Sequence, residues 1–165
     1  MSYSPRYPAR SEYLNVRGLR YHLHVWGDLG RATPEQPLLV MVHGWMDVGA
    51  SFQFMVDELR QRPGWGDRPI VALDWRGFGL TEVPQGDCYF FADYLGDLDA
   101  VIDALSPDHP VDLLGHSMGG NVVMLYTGVR SARIRKHVAR VADQCRNHAV
   151  DRSIERLRRF VGPEG

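Results

Sequence analysis

One serine stands in a short glycine-flanked segment of a kind that can expose a nucleophile. Ser117 is the centre of GHSMG, residues 115–119, which matches the pattern Gly-x-Ser-x-Gly. Such a serine can attack an acyl carbon when it lies on a sharp turn between a strand and a helix. The flanking glycines are needed because a Cβ would collide with neighbouring backbone. Ser117 is therefore the candidate nucleophile.

The segments around Ser117 have the periodicity that this turn requires. Residues 37–42, 70–73 and 111–116 form short apolar runs typical of strands that are covered on both faces, as in a parallel sheet. Between them, the apolar positions of 91–105 recur with helical spacing, and a further helix follows Ser117. Strand and helix alternate, so we predict an α/β fold with a doubly wound, mostly parallel sheet. Residues 12–26 alternate as a hairpin with one buried and one solvated face.

Three segments together resemble the α/β-hydrolase superfamily, in its serine esterase or serine-hydrolase-like group. They are HGWMD at 43–47, DWRGFG at 74–79 and GHSMGG at 115–120. The resemblance covers residues 12 to about 136, the N-terminal half of the family's fold. It implies a sheet of the α/β-hydrolase type that is truncated after about the sixth strand.

The resemblance also implies roles for individual residues. Ser117 would be the nucleophile, and the backbone amides of Trp45 and Met118 would stabilise the oxyanion of a tetrahedral intermediate. Asp74 would hold a loop beneath the site without taking part in the chemistry. Dehalogenases and epoxide hydrolases of this fold carry aspartate where this chain has serine. The serine favours acyl chemistry on esters, thioesters, lactones or amides.

The acid and the base that activate such a serine are not evident. In this fold the order is Ser, then Asp or Glu, then His, and only 48 residues follow Ser117. Asp143 and His148 could complete a triad with Ser117, and the alternative is that both lie in a solvated polar turn. A non-catalytic remnant or protein-interaction module is the alternative to a truncated, catalytically impaired hydrolase.

The charge balance changes near Ser131. Residues 1–130 contain 10 Lys or Arg against 16 Asp or Glu, whereas residues 131–165 contain 9 against 4. We therefore divide the chain into a core part, 1–136, and an atypical basic segment, 137–165, that is expected to be helical. A frameshift or a broken gene would produce such a change, and a natural short protein is the alternative. An incomplete sheet would leave an uncovered edge through which the chain could self-associate.

Composition excludes several other classes of protein. A formal net charge of −1 gives no reason to expect nucleic acid or a membrane as partner. Cys88 and Cys145 have no metal-ligand spacing, and the N-terminus lacks the pattern of a signal peptide. No lysine follows the glycine-rich turns in a phosphate-binding pattern. We therefore expect a cytoplasmic protein that acts on a small acyl substrate without cofactor or metal.

Overall fold

The computed structural model describes residues 3–83, 85–86 and 89–140, and of Arg140 only the backbone. Six strands and three helices, with short 3-10 turns between them, form one α/β unit. In chain order they are β1 (Arg10–Val16), β2 (Leu19–Trp26), β3 (Leu39–Val42), α1 (Gln53–Leu59), β4 (Ile70–Leu73), α2 (Phe91–Leu105), β5 (Val111–His116), α3 (Met118–Val129) and β6 (Ile134–Arg140). The bounds of α2 and β5 are those predicted from the sequence. None of these helices is long and apolar enough to cross a bilayer.

The sheet is mixed, with the order β1-β2-β4-β3-β5-β6. Strands β4, β3, β5 and β6 are parallel to one another, as the alternation of strand and helix predicted. Strand β2 runs antiparallel to β1 because a tight turn, without a crossover helix, joins the two strands. It is also antiparallel to β4, its other neighbour. The carboxyl ends of β3, β4 and β5 therefore meet at one edge of the sheet, where Ser117 follows β5.

Helices cover both faces of the sheet. Successive residues of a strand point to opposite faces, so Val40 and Val42 pack towards α2 and α3 while Leu39 and Met41 pack towards α1. All four side chains are fully buried. This arrangement explains why β3, β4 and most of β5 read as continuous apolar runs.

The sixth strand forms from a basic sequence and crosses the division that we placed at residue 136. Strand β6 pairs in parallel with β5 along its length, so residues 137–140 belong to the sheet. Basic side chains are accommodated because β6 is the last strand of the sheet within the described residues, and Arg135 binds the buried carboxylate of Asp112. Residues 141–165, the rest of the predicted helical segment, lie outside the described residues.

Candidate functional site

Ser117 occupies a strained turn between β5 and α3. Its backbone angles are φ 52° and ψ −117°, a combination that residues other than glycine rarely adopt. A non-glycine residue held in such a region costs of the order of 1–3 kcal/mol and persists only where the surrounding structure enforces it. The turn directs the half-exposed serine towards the edge where β3 and β4 also end.

Two glycines allow this turn to pack against the rest of the sheet. A Cβ on Gly119 would lie 2.6 Å from the carbonyl oxygen of His43, and one on Gly115 would lie 2.6 Å from the carbonyl carbon of Gly119. Real Cβ atoms essentially never come so close to backbone atoms. The first turn of α3 can therefore lie directly on the end of β3 only because neither position carries a side chain.

The loop after β3 lies beside the serine. A Cβ on Gly44 would be 3.0 Å from the Cβ of Ser117, so the backbone at Gly44 passes against the serine side chain. The next two side chains, Trp45 and Met46, project into solvent, and Met46 has a left-handed backbone with φ 55°. Met118 is the first residue of α3, on the other side of Ser117. The structure thus brings the segments of Trp45 and Met118 to the same place as Ser117.

The ring of His43 fixes this loop and has no nitrogen left for catalysis. Its Nε2 accepts a hydrogen bond from the backbone N–H of Trp75 at 2.9 Å. The ring proton must therefore be on Nδ1, which donates to the carbonyl oxygen of Gly44 at 2.7 Å. Trp75 in turn donates from Nε1 to the carbonyl oxygen of His43. Burial lowers the pKa of His43 from its ordinary value of 6.5, in agreement with a neutral ring.

Asp74 is a buried structural carboxylate that joins three segments. It accepts hydrogen bonds from Nδ1 of His22 at 2.8 Å and Nε2 of His24 at 3.3 Å, both on β2. It also accepts from the backbone N–H groups of Gly49 and Leu80, at 2.7 and 3.0 Å. Burial alone would raise the pKa of Asp74, but these four hydrogen bonds hold it well below its usual range.

These three side chains are also the one set in the described part of the chain that could hold a metal ion. Each of His22, His24 and Asp74 offers a ligand atom, and the three atoms lie within 4.8 Å of one another. Each oxygen of the carboxylate already accepts one ring N–H and one backbone N–H. A cation would have to replace the ring hydrogen bonds, so the donor set fits a structural clamp better than a metal centre.

The hairpin prediction was wrong at this point. The face of β2 that carries His22 and His24 was expected to be solvated, but His22 is only 1% exposed and His24 is partly buried. Sequence reasoning missed the cluster because the residues that cover this face are 50 or more positions away in the chain. Two histidines with a spacing of two, in a strand pattern, were the available signal.

A buried ion pair anchors the other side of the loop after β4. The guanidinium of Arg76 binds the carboxylate of Asp97 in α2 through two bonds, from Nε at 2.6 Å and from Nη2 at 2.8 Å. Arg17 and the hydroxyl of Tyr21 contact the same carboxylate. Hydrogen bonding to Asp97 raises the pKa of Arg76. Asp97 interrupts the apolar stripe of α2, and no pattern in the sequence indicated that this position is buried.

No histidine ring within residues 3–140 forms a hydrogen bond with Ser117. His116, half-exposed, places its Nδ1 3.9 Å from a carboxylate oxygen of Asp47. His137 lies on β6 and is exposed. The predicted acid and base, Asp143 and His148, fall outside the described residues, so their placement relative to Ser117 stays a prediction.

The contact between α3 and β3 leads to a test of how tightly the turn is built. In Gly119→Ala the new methyl group would collide with backbone that cannot move independently, and we expect a loss of about 1–3 kcal/mol in the free energy of unfolding. Gly128→Ala is the matched control, because it lies in the same helix with nothing within 4 Å, and we expect a gain of about 0.5–1 kcal/mol. Urea unfolding measures both. Equal free energies of unfolding for the two variants would contradict the close backbone contact at Gly119.

The lowered pKa of His43 predicts a pH dependence of stability. As the pH falls below about 6.5, the unfolded chain takes up a proton that the folded ring resists, so folding becomes less favourable. The contribution of the neutral His43 ring to the free energy of unfolding should be fully present above that pH, and it should decrease as the pH falls towards the pKa of the folded state. Melting temperatures between pH 8 and pH 5 measure the effect. His43→Gln should flatten the decrease, whereas His137→Gln, on the exposed part of β6, should leave it unchanged; an identical pH profile in the two variants would count against this role.

Comparisons with known proteins agree with this geometry. The profile of the alpha/beta hydrolase fold family matches residues 37–163. A serine hydrolase-like protein of Danio rerio is 34% identical over 106 residues, which are 64% of this chain and 29% of that protein. A 2-hydroxy-6-oxo-2,4-heptadienoate hydrolase of Pseudomonas putida is 31% identical over 124 residues, 73% of this chain and 40% of that protein.

Solved structures show the same fold. A thioesterase domain from the curacin biosynthetic pathway superposes with a TM-score of 0.67 and 26% identity, over 79% of this chain and 43% of that one. An epoxide hydrolase from Vigna radiata superposes with the same TM-score at 24% identity, over 79% of this chain and 39% of that one. The chain thus spans less than half the length of these relatives. With the profile matched over most of its length, the chain belongs to the α/β-hydrolase fold family.

Proposed function

We propose that the chain is a serine hydrolase in which Ser117 attacks carboxylic esters or related acyl substrates. The observation that carries this proposal is the strained backbone of Ser117, held between β5 and α3 by contacts that require glycine at two neighbouring positions. Backbone strain of this kind tends to be retained at functional sites. The serine stands at the edge of the sheet where α/β folds place their ligands.

The oxyanion of the tetrahedral intermediate would be held by the backbone N–H groups of Trp45 and Met118. Met118 begins α3, so its N–H has no carbonyl four residues earlier within the helix and is available to a ligand. The positive end of the helix dipole adds to this stabilisation. Trp45 follows Gly44, whose backbone passes against Ser117. Loss of one such donor typically costs about 2.7–4 kcal/mol of transition-state stabilisation.

The identity of the nucleophile favours acyl transfer. A serine oxygen that attacks an acyl carbon expels the alcohol, thiol or amine, which leaves with a proton, and forms an acyl-enzyme; water then hydrolyses it, which releases the carboxylic acid and regenerates the serine. This step needs a base to accept the hydroxyl proton. Asp143 and His148 follow Ser117 in the order that the fold uses, and they are the residues of this chain to test as acid and base. Without them, Ser117 would react slowly, as expected of a catalytically impaired form.

Covalent labelling tests this proposal directly. We expect a fluorophosphonate probe to label the native chain at Ser117, and Ser117→Ala to abolish the label. Ser51→Ala should label normally, because Ser51 lies in the turn after β3 and its hydroxyl donates to Asp47. His148→Gln should slow labelling at least about a hundredfold if His148 is the base. Absence of label in a sample that melts cooperatively would refute the hydrolase assignment.

A second candidate function, as a protein-interaction module, is favoured by the uncovered end of the sheet. Within the described residues β6 pairs only with β5, so its other edge offers unpaired backbone groups. The neighbouring helix α3 exposes three apolar side chains, those of Met124, Leu125 and Val129. We propose that copies of the chain associate through this edge.

We also propose a cytoplasmic location. Cys88 and Cys145 are far apart in the sequence and have no metal-ligand spacing, which is typical of reduced thiols in a cytosolic protein.

Solution mass tests the association. We expect light scattering to give an average mass above the 18.7 kDa of one chain, increasing with concentration. Leu125→Glu combined with Val129→Glu should return the mass to that of one chain because charge opposes burial of this face. Phe54→Glu is the control, since Phe54 is equally exposed but lies on α1, at the opposite face of the sheet. A monodisperse monomer with a cooperative melt would contradict self-association.

A further inference from the structure

Large apolar side chains are concentrated on the loops that surround Ser117. Strands β3 and β4 end at the same edge of the sheet as β5, and the segments after them expose a group of such side chains. They are Trp45, Met46, Leu80, Val83, Tyr89, Phe90 and Phe91. Exposed apolar residues are common when scattered, but this number of them on the segments that follow β3 and β4, at the edge of the sheet where Ser117 also lies, indicates a binding surface.

Two aromatic rings of these loops pack on each other, and one of them, Trp45, follows Gly44, whose backbone passes against Ser117. The rings of Trp45 and Phe78 meet edge to face, with centroids 5.2 Å apart and an interplanar angle of 74°. Phe78 also packs against the ring of His43, at 5.6 Å. The His43 ring is fixed by its two hydrogen bonds, and Phe78 packs between this ring and the indole of Trp45. We call Trp45 and Phe78 the aromatic wall.

The same loops carry no positive charge. The sequence contains no lysine or arginine between Gly44 and Leu59, nor between Gly77 and Val129. Arg76, which adjoins the second stretch, is 3% exposed and bound to Asp97. Acidic residues do occur there, at Asp47 and Glu82. An anionic substrate would therefore lose hydration at this surface and find no counter-ion on these segments.

We propose that the aromatic wall is the binding surface for the apolar part of an uncharged acyl substrate, and that the site discriminates against carboxylate-bearing substrates. This inference rests on the proposed function of Ser117 and adds to it the class of substrate. It separates this chain from its relative named as a 2-hydroxy-6-oxo-2,4-heptadienoate hydrolase, since a dienoate is an anion.

The fluorescence of Trp45 can report the binding of a ligand at this surface. Of the four tryptophans, Trp45 is 54% exposed, whereas Trp26, Trp65 and Trp75 are at most 5% exposed. Quenching of tryptophan fluorescence by acrylamide therefore reports chiefly on Trp45, and a ligand on the wall protects it. The Ser117→Ala protein serves as the binding form because it cannot turn over an ester. Methyl hexanoate and hexanoate are matched ligands that differ in charge.

We expect methyl hexanoate to protect Trp45 in a saturable manner and to bind at least about tenfold more tightly than hexanoate. Phe78→Ala should weaken binding of the ester by about three- to tenfold. Phe78→Leu keeps a large apolar side chain and so preserves the fold, and it should also weaken binding of the ester because the ring is lost. Phe54→Ala removes an equally large exposed ring from α1 and should have no effect. Met46→Lys supplies a cation beside Trp45 and should improve binding of hexanoate about threefold or more.

The outcomes separate the wall from the catalytic proposal. Equal or tighter binding of hexanoate, no protection by the ester, or unchanged binding in both Phe78 variants would each overturn the inference. Fluorophosphonate labelling of the native protein remains the independent readout for Ser117. Labelling without protection of Trp45 would leave the hydrolase and remove the wall; protection without labelling would support the wall as a ligand site and remove the hydrolase.

Discussion

Direct backbone contact between the start of α3 and the end of β3 is the constraint on which the site depends. The carbonyl oxygens of Val42 and His43 lie where a side chain of Gly119 would be. This contact sets the distance between the turn at Ser117 and the loop at Gly44, and hence how the amides of Trp45 and Met118, which follow different strands, lie relative to each other. In the proposed hydrolase, donors placed in this way would need little rearrangement when charge develops on a substrate oxygen.

Buried polar groups then fix the loops that follow β3 and β4. Asp74 ties β2 to the turns after β3 and β4, and the Arg76–Asp97 pair ties the turn after β4 to α2. Buried charges are costly unless they are fully hydrogen-bonded, so each network specifies one arrangement of its loop. The apolar strands between the two networks contribute stability without distinguishing one loop geometry from another. Packing builds the sheet, whereas the polar networks determine the shape of the loops at its carboxyl edge.

The sequence predicted those features that depend on local periodicity. The apolar runs of β3, β4 and β5, the stripe of α2 and the turn at Ser117 each follow from residues close in the chain, and the structure confirms their positions. The clusters around Asp74 and Asp97 could not be predicted, because their partners are separated by 20 to 80 residues and carry no common pattern. The basic composition of β6 departs from the apolar pattern of the inner strands, so the sequence indicated this strand less clearly and the division at residue 136 fell within it.

The strained turn at Ser117 also bears on how the position can change during evolution. Glycine would adopt the same backbone angles without strain and would satisfy the fold better than serine does. Folding and reactivity therefore impose opposite selection at one codon. If a lineage no longer used the hydroxyl, substitution of the serine by glycine would increase the stability of the fold. In the proposed hydrolase, the reactive hydroxyl would be the reason for a side chain at a position where the backbone dihedral angles favour glycine.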